Sequence, residues 1–217
     1  MDQVKVLITG SNGLLGEQLR RLLSKNNFFI IATGLGPDRS SSIHDVYVEM
    51  DITSLKQCTS ILYKYEPSVI INAAAMTNVD QSERDQKKCL SINCNSINNF
   101  IPYINKHSPH FIHISSDFIF NGQKGLYVES DCSDPVNYYG FSKLESEKII
   151  LNHAFNYTIL RTSLVYGESC DHNHFLNWVK RQLMSNQLIE IVDDQYRTPT
   201  FVNDLAISIL NIIQMKK

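Results

Sequence analysis

Short apolar runs alternate along this chain with longer stretches of helical period. Val4–Thr9, Phe28–Thr33, Val46–Met50, Val69–Asn72, His110–Ser115 and Tyr157–Arg161 read as strands, too short for helices and rich in apolar residues. Leu14–Lys25, Leu55–Tyr65 and Val136–Asn152 carry apolar residues at helical spacing. Gln81–Lys106 carries helical material broken near Asn93–Ser96 and stopped by Pro109. Strands and helices in this alternation describe βαβ units, so the pattern predicts an α/β fold with a doubly wound parallel sheet covered on both faces.

After Gly167 the pattern changes. An amphipathic stretch, Phe175–Met184, is followed by a short strand at Ile189–Val192, a polar turn and a helix from Asn203 to about Met215. We therefore expect a first domain over 1–165 and a small second lobe over 166–217. Residues 168–200 would form the lobe itself, and the helix 203–216 would pack back on the first domain. Ser116–Pro135 is a polar, glycine-containing loop, and Gly34–Ser42 is either a surface turn or a ligand-facing loop.

Composition narrows the partners. The 217 residues are 43% hydrophobic and 19% charged, enough for one large core. Lysine and arginine number 20 against 22 acids, a formal charge of -2, too even for a surface that holds nucleic acid or an anionic membrane by bulk charge. The start, Met1-Asp2-Gln3-Val4-Lys5-Val6-Leu7, lacks the basic and long apolar regions of a signal peptide, and no apolar stretch is long enough to span a membrane. Cys58, Cys89, Cys94, Cys132 and Cys170 form no CxxC pair, which predicts reduced thiols and a cytoplasmic location, where the Asn156-Tyr157-Thr158 sequon stays bare. His172-Asn173-His174 has no third ligand patterned around it, so no metal site is expected. His113, between Ile112 and Ile114, reads as a core or edge histidine and not a general base, and Trp178 near Phe175 and Leu176 as lid packing.

Gly10-Ser11-Asn12-Gly13-Leu14-Leu15-Gly16 lies between a predicted strand and a predicted helix, the context a glycine fingerprint requires. Gly10 permits a tight turn, Gly13 the approach of backbone to a pyrophosphate, and Gly16 close packing of helix on strand. The helix N-terminus adds unpaired N–H groups and a positive partial charge. A Rossmann dinucleotide site is the expectation, with Asn12, Leu14 and Leu15 in the same turn. The GxxGxxG spacing is the version seen in short-chain dehydrogenases/reductases. After the second strand, Thr33-Gly34-Leu35-Gly36 supplies no carboxylate for the ribose hydroxyls of NAD. Arg39 is either a solvated loop charge or the partner of a 2′-phosphate; the latter makes NADP(H) the preferred cofactor, with NAD(H) as the alternative. Asn72-Ala73-Ala74-Ala75 serves either tight core packing or close approach of the cofactor.

Tyr139 and Lys143 stand four apart in a predicted helix, on one face and one turn apart, a spacing that taken alone describes either solvated surface residues or a catalytic pair. An ammonium beside a phenol favours the phenolate, so Lys143 is expected to lower the pKa of Tyr139. Upstream, Ile114-Ser115-Ser116-Asp117 falls at the carboxyl edge of the fifth strand, where open α/β sheets bind ligands. A hydroxyl from Ser116 and the phenol of Tyr139 converging on one carbonyl oxygen would stabilise the alkoxide-like charge of hydride addition.

The segments Asn72–Asp80, Ser115–Gly122, Arg161–Gly167 and Asp194–Thr200 together resemble the dTDP-4-dehydrorhamnose reductase family of extended short-chain dehydrogenases/reductases. The resemblance implies that Ser116 is the catalytic hydroxyl, Tyr139 the proton donor, Lys143 the group that positions cofactor and tyrosine, and Asp117 the acid of the reductases. It places Asp51 and Ile52 at the adenine, although Asp51 reads equally as a helix N-cap residue. Thr77, Val79, Asp117, Phe118, Arg197, Thr198 and Pro199 would meet the substrate. The implied reaction takes hydride from NADPH to C4 of a nucleotide-linked 4-dehydro-6-deoxy sugar, dTDP-4-dehydrorhamnose giving dTDP-L-rhamnose. Sugar 4,6-dehydratases usually carry Glu after that Asp; Phe118 here argues for reduction. Partners expected are the nucleotide sugar and a second copy in a homodimer, without nucleic acid or membrane.

Two departures from the family pattern stand out. Arg197 occupies a position that is often Gly, and family members continue for several dozen residues past Lys217, so the substrate lobe reads as truncated. A non-catalytic NADP-binding subunit and a nucleotide-sugar epimerase or dehydratase are the other readings; the regulatory β-subunit of methionine adenosyltransferase resembles the same family.

Overall fold

The computed structural model describes residues 3–39, 46–167, 175–191, 193 and 195–215; Cys170, His172–His174, Val192, Asp194 and Ser40–Ser42 lie outside the described residues. Strands β1 (Lys5–Thr9), β2 (Phe29–Gly34), β3 (Val46–Glu49), β4 (Val69–Asn72), β5 (His110–Ser116) and β6 (Tyr157–Thr162) form one parallel sheet in the order β3-β2-β1-β4-β5-β6. The order reverses between β1 and β4, the switch point at which the carboxyl ends of such sheets open a ligand crevice. The register sets Thr9 beside Asn72, and Asn72 beside His113.

Both faces of the sheet are covered, which is why its central strands are almost continuously apolar rather than alternating. On one face Val6, Ile8, Ile30, Ala32, Val69, Ile71 and Ile112 meet helices α1 (Leu14–Ser24) and α8 (Val202–Met215), whose Leu15, Leu19, Leu23, Leu205, Ile209 and Ile213 complete the layer. On the other face Leu7, Ile31, Ile70 and Phe111 meet α2 (Leu55–Tyr65), α5 (Ile101–His107) and α6 (Tyr138–His153) through Ile61, Leu62, Ile104 and Ile150.

The helical material before β5 is more finely divided than its periodicity suggested. Helix α3 (Val79–Arg84) ends at Asp85, whose carboxylate then accepts from Lys88 N at 3.0 Å and caps α4 (Gln86–Asn93). A 3-10 turn, Asn95–Asn99, follows at the break foreseen near Asn93. Past β6, the two-residue strands β7 (Val165–Tyr166) and β8 (Thr200–Phe201) pair in parallel, on either side of α7 (Phe175–Met184). No strand forms at Ile189–Ile191: Leu188 and Ile191 remain exposed, so the apolar run has no sheet on which to pair and pack.

The docking of α8 is testable within one helix. Ile209 is fully buried and Ile207 is 46% exposed. Ile209→Ala should lower the unfolding free energy by roughly 2–5 kcal/mol, and Ile207→Ala by less than about 0.5 kcal/mol. Equal losses in denaturant titrations would show that α8 is not held by this face.

Candidate active site

The carboxyl ends of β1, β2, β4 and β5 open into a cleft of about 1030 Å³. Its floor begins at the glycine turn. Gly10 has φ +66°, and a Cβ there would lie 2.8 Å from the Cα of Ala74, so the turn and the end of β4 can touch only because neither carries bulk. Gly16 is pressed on the carbonyl of Gly10, which brings α1 onto the same turn. Ser54, Asn78, Asp85 and Asn137 each cap a helix with a side chain, whereas Gly13 leaves the N-terminus of α1 without one. Uncapped N–H groups facing a cleft suit a phosphate. That fits the pyrophosphate of a dinucleotide.

Asn12 lines the cleft, and its side chain also ties the loop after β2 to the turn. Its amide donates to Pro37 O and Tyr47 Oη, both at 3.0 Å, and its carbonyl accepts from Arg39 N at 3.1 Å, clamping the loop after β2 over the turn. Two carboxylates do stand near this loop, contrary to the reading from Thr33–Gly36 alone. Asp38 is held by both guanidinium nitrogens of buried Arg20 at 2.7 and 3.0 Å, and Glu49, brought beside Gly34 by the sheet register, accepts from Gly36 N. Neither lines the cleft; Arg39 does. Asp51 lines it too, but its Oδ1 accepts from Thr53 N and Oγ1 at 2.8 and 2.7 Å, so it also shapes the loop before α2.

Helix α6 turns an almost wholly polar face to the sheet. Tyr139, Ser142, Lys143, Ser146, Glu147 and Ile150 recur at helical spacing, and all except Tyr139 are buried. Asn93 donates to Ser142 Oγ at 2.9 Å and grips Met76 through N (2.8 Å) and O (3.1 Å), tying the loop after β4 to α6. Glu147 is paired with Arg161 at 2.8 Å and accepts from Ser115. Gly140 sits against the carbonyl of Phe118 with no room for a Cβ, and this contact sets Tyr139 beside the end of β5. Ser116, Tyr139 and Lys143 all reach the cleft.

Burial pushes the Tyr139 phenol up to about 12; its hydrogen bond with Ser116 acts the other way and Asp117 adds to the rise. The expected depression by Lys143 is thus not found. Lys143 is itself buried, which brings it down to about 8 against the pull of Glu147, and its Nζ lies 3.2 Å from His113 Nε2. The phenol has lost more from desolvation than it gains from this ammonium.

The remaining expected site residues divide. Gly10, Gly13, Leu14, Leu15, Gly16, Ile52, Ala73, Ala74, Ala75, Thr77 and Phe118 line the cleft with those named above. Asn72 lies beneath it, 2% exposed, and Val79, Asp117, Arg197, Thr198 and Pro199 are not in its wall. Arg197 still reaches the rim, with its guanidinium 4.2 Å above the Phe118 ring and 3.7 Å from Asp117. Phe118 meets Tyr139 edge-on at 5.7 Å. Sequence reasoning missed Lys88, Ser91 and Ile92 of α4, Thr162 at the end of β6, and Leu164 and Val165 beyond it, all in the wall. Only the fold brings these segments to the cleft; Leu164 also holds φ +27°, rare for a non-glycine residue.

Sheet order, glycine turn and cleft define a dinucleotide-binding protein of the extended short-chain dehydrogenase/reductase class. The family described as RmlD substrate binding domain matches residues 4–217, and the chain belongs to it. A dTDP-4-dehydrorhamnose reductase of Aggregatibacter actinomycetemcomitans is 34% identical over 211 residues, 97% of this chain and 67% of that protein. The crystal structure of dTDP-4-dehydrorhamnose reductase from Bacillus anthracis in complex with NADP has a TM-score of 0.86 and 30% identity, covering 98% of this chain and 71% of that one. Methionine adenosyltransferase 2 subunit beta of Bos taurus is 28% identical over 204 residues, 93% of this chain and 60% of that protein. The chain spans about two thirds of the length of such relatives.

The raised phenol gives an immediate check. Ultraviolet titration of the free protein should show no Tyr139 phenolate between about pH 7 and 9. A tyrosinate signal in that range that vanishes in Tyr139→Phe would contradict the environment described.

Proposed function

We propose that this protein is a reductase that takes hydride from NADPH to the C4 keto group of a dTDP-linked 4-dehydro-6-deoxy sugar, dTDP-4-dehydrorhamnose giving dTDP-L-rhamnose. The observation that carries this reading is one cleft that holds both the uncapped N-terminus of α1 and, at the carboxyl edge of β5, the hydrogen-bonded Ser116 and Tyr139. The NADP complex of the Bacillus anthracis relative supports the choice of cofactor. A homodimer and a cytoplasmic location belong to the same proposal.

The roles follow from the chain's own groups. The turn Gly10–Gly16 would hold the pyrophosphate on backbone N–H groups, Arg39 the 2′-phosphate, Asp51 and Ile52 the adenine side, and Lys143 the nicotinamide ribose. Bound NADPH supplies the hydride. A phenol kept protonated at neutral pH is suited to give its proton, so Tyr139 protonates the C4 oxygen as hydride arrives while Ser116 donates a hydrogen bond to the same atom. Thr77 and Phe118 would form the sugar-nucleotide side, with Arg197 and Asp117 at its rim.

Three measurements test the proposal. Purified protein should oxidise NADPH in the presence of dTDP-4-dehydro-6-deoxy sugars; no oxidation across a panel of nucleotide-linked 4-keto sugars would overturn it, and would leave a non-catalytic NADPH-binding subunit as the reading. Tyr139→Phe should lose at least about 100-fold in kcat with NADPH affinity nearly unchanged, whereas replacing Lys143 should harm both. Arg39→Ala should narrow the preference for NADPH over NADH about tenfold; an unchanged ratio would remove Arg39 from the 2′-phosphate.

A further inference from the structure

His113 lies in the middle of a buried hydrogen-bond chain that crosses the sheet and ends on Lys143. The strand register places Thr9, Asn72 and His113 side by side on β1, β4 and β5, and each is at most 2% exposed. Ala74 N donates to Thr9 Oγ1 at 3.1 Å, so the Thr9 proton is free to go to Asn72 Oδ1 at 2.7 Å. Asn72 then presents its NH₂ to His113 Nδ1 at 3.1 Å. On the far side His113 Nε2 is 3.0 Å from Ser146 Oγ, whose own proton goes to the carbonyl of Lys143 at 2.6 Å.

Every donor in this sequence finds an acceptor only if all bonds point the same way, from β1 towards α6. Turning the Asn72 amide over would give Thr9 Oγ1 two donors and leave its hydroxyl proton buried with no acceptor in the chain, a cost of about 1–3 kcal/mol. With Nδ1 accepting, a neutral His113 must carry its proton on Nε2. Burial and the neighbouring Lys143 both act against a second proton. Lys143 Nζ therefore faces an N–H, at 3.2 Å, rather than a lone pair.

We propose that His113 is a positioning residue: its Nε2–H, fixed by the Thr9–Asn72 chain, denies Lys143 an acceptor on the sheet side, disfavours the ammonium, and turns the protons Lys143 does carry toward the cleft. The other groups that act on Lys143 are Glu147 on its own helix, which is bound to Arg161, and the buried thiols Cys89 and Cys94 of α4 and the residue after it. None of them meets His113 directly. The geometry makes Thr9, two strands away from Lys143, part of the setting of its protonation state. That this matters for turnover rests on the reductase reading; the tautomer and the lysine titration do not.

The test uses the free protein and needs no substrate, so it stands or falls separately from the enzymatic assay. Nitrogen-15 spectra of the imidazole should show neutral His113 protonated on Nε2 from about pH 6 to 9. Titration of Lys143, followed through its Cε carbon, should move upward by roughly one pH unit in Thr9→Val, which frees Asn72 to turn and His113 to accept, and should not rise in His113→Phe, which offers no acceptor either. An Nδ1–H tautomer or an imidazolium in the wild-type protein overturns the proposal, and so does an unmoved Lys143 titration in Thr9→Val. Should His113→Phe fail to fold, the wild-type tautomer and Thr9→Val still decide the matter.

Discussion

The requirement that buried polar groups be paired governs this structure more than any apolar contact does. Helix α6 lies on the sheet with Ser142, Lys143, Ser146 and Glu147 inward, and each of them left unpaired would cost on the order of 1–3 kcal/mol. For the two serines and the glutamate three partners meet that demand from three directions: Asn93 from α4, His113 from β5, and Arg161 from β6. Because each partner can be satisfied in only one register of helix against sheet, the same bonds that remove the penalty also fix where Tyr139 stands relative to Ser116. A helix held by leucines alone could slide or rotate by a fraction of a turn at small cost; this one cannot.

The electrostatics of the cleft follow from that arrangement. Desolvation favours the neutral form of both an acid and a base, and here it acts on a phenol and an ammonium a single turn apart, raising one to about 12 and bringing the other to about 8. The familiar picture of a lysine that sharpens a tyrosine's acidity is therefore replaced, in the free protein, by two groups both biased away from charge. A carbonyl oxygen that gathers negative charge between them would meet donors whose cost of desolvation has already been met in folding. On the opposite wall the charge is managed differently: Arg20 binds Asp38, and the described part of the loop after β2 offers the cleft a guanidinium from Arg39.

Much of this was legible in the sequence, for identifiable reasons. The parallel sheet announced itself through short apolar runs between helical stretches, and the glycine turn through its place between strand and helix. Tyr139 and Lys143 stood out only in company: their spacing alone fits a solvated helix face, and it was Ser116 at a strand end upstream that gave the pair a chemical use. What stayed hidden was everything that depends on packing. His113 read as a core or edge residue, yet nothing in Phe111–Ile114 says that its ring spans from Asn72 to Ser146. Lys88 and Leu164 carried no signal of their own and line the cleft. The strand expected over Ile189–Val192 rested on apolar composition alone and has no partner to pair with at Ile189–Ile191, whereas the two-residue pair β7–β8 is too short to leave a periodic signal.

The packing of α8 on α1 has a consequence for how the chain is made. Helix α1 carries the turn that would hold the pyrophosphate, yet the apolar stripe of Leu15, Leu19 and Leu23 shares its layer with Leu205, Ile209 and Ile213 from the far end of the described chain. As the polypeptide emerges from the ribosome, that stripe is made before most of the sheet and its α8 cover after it, so it must wait, partly bare, through the synthesis of the strands between. The closure that completes it joins helices separated in sequence by all the strands from β2 onward, the kind of long-range contact whose entropic cost slows folding. The dinucleotide-binding half thus cannot mature as an independent amino-terminal unit, and a nascent chain arrested before Val202 would expose a hydrophobic ridge for chaperones to find.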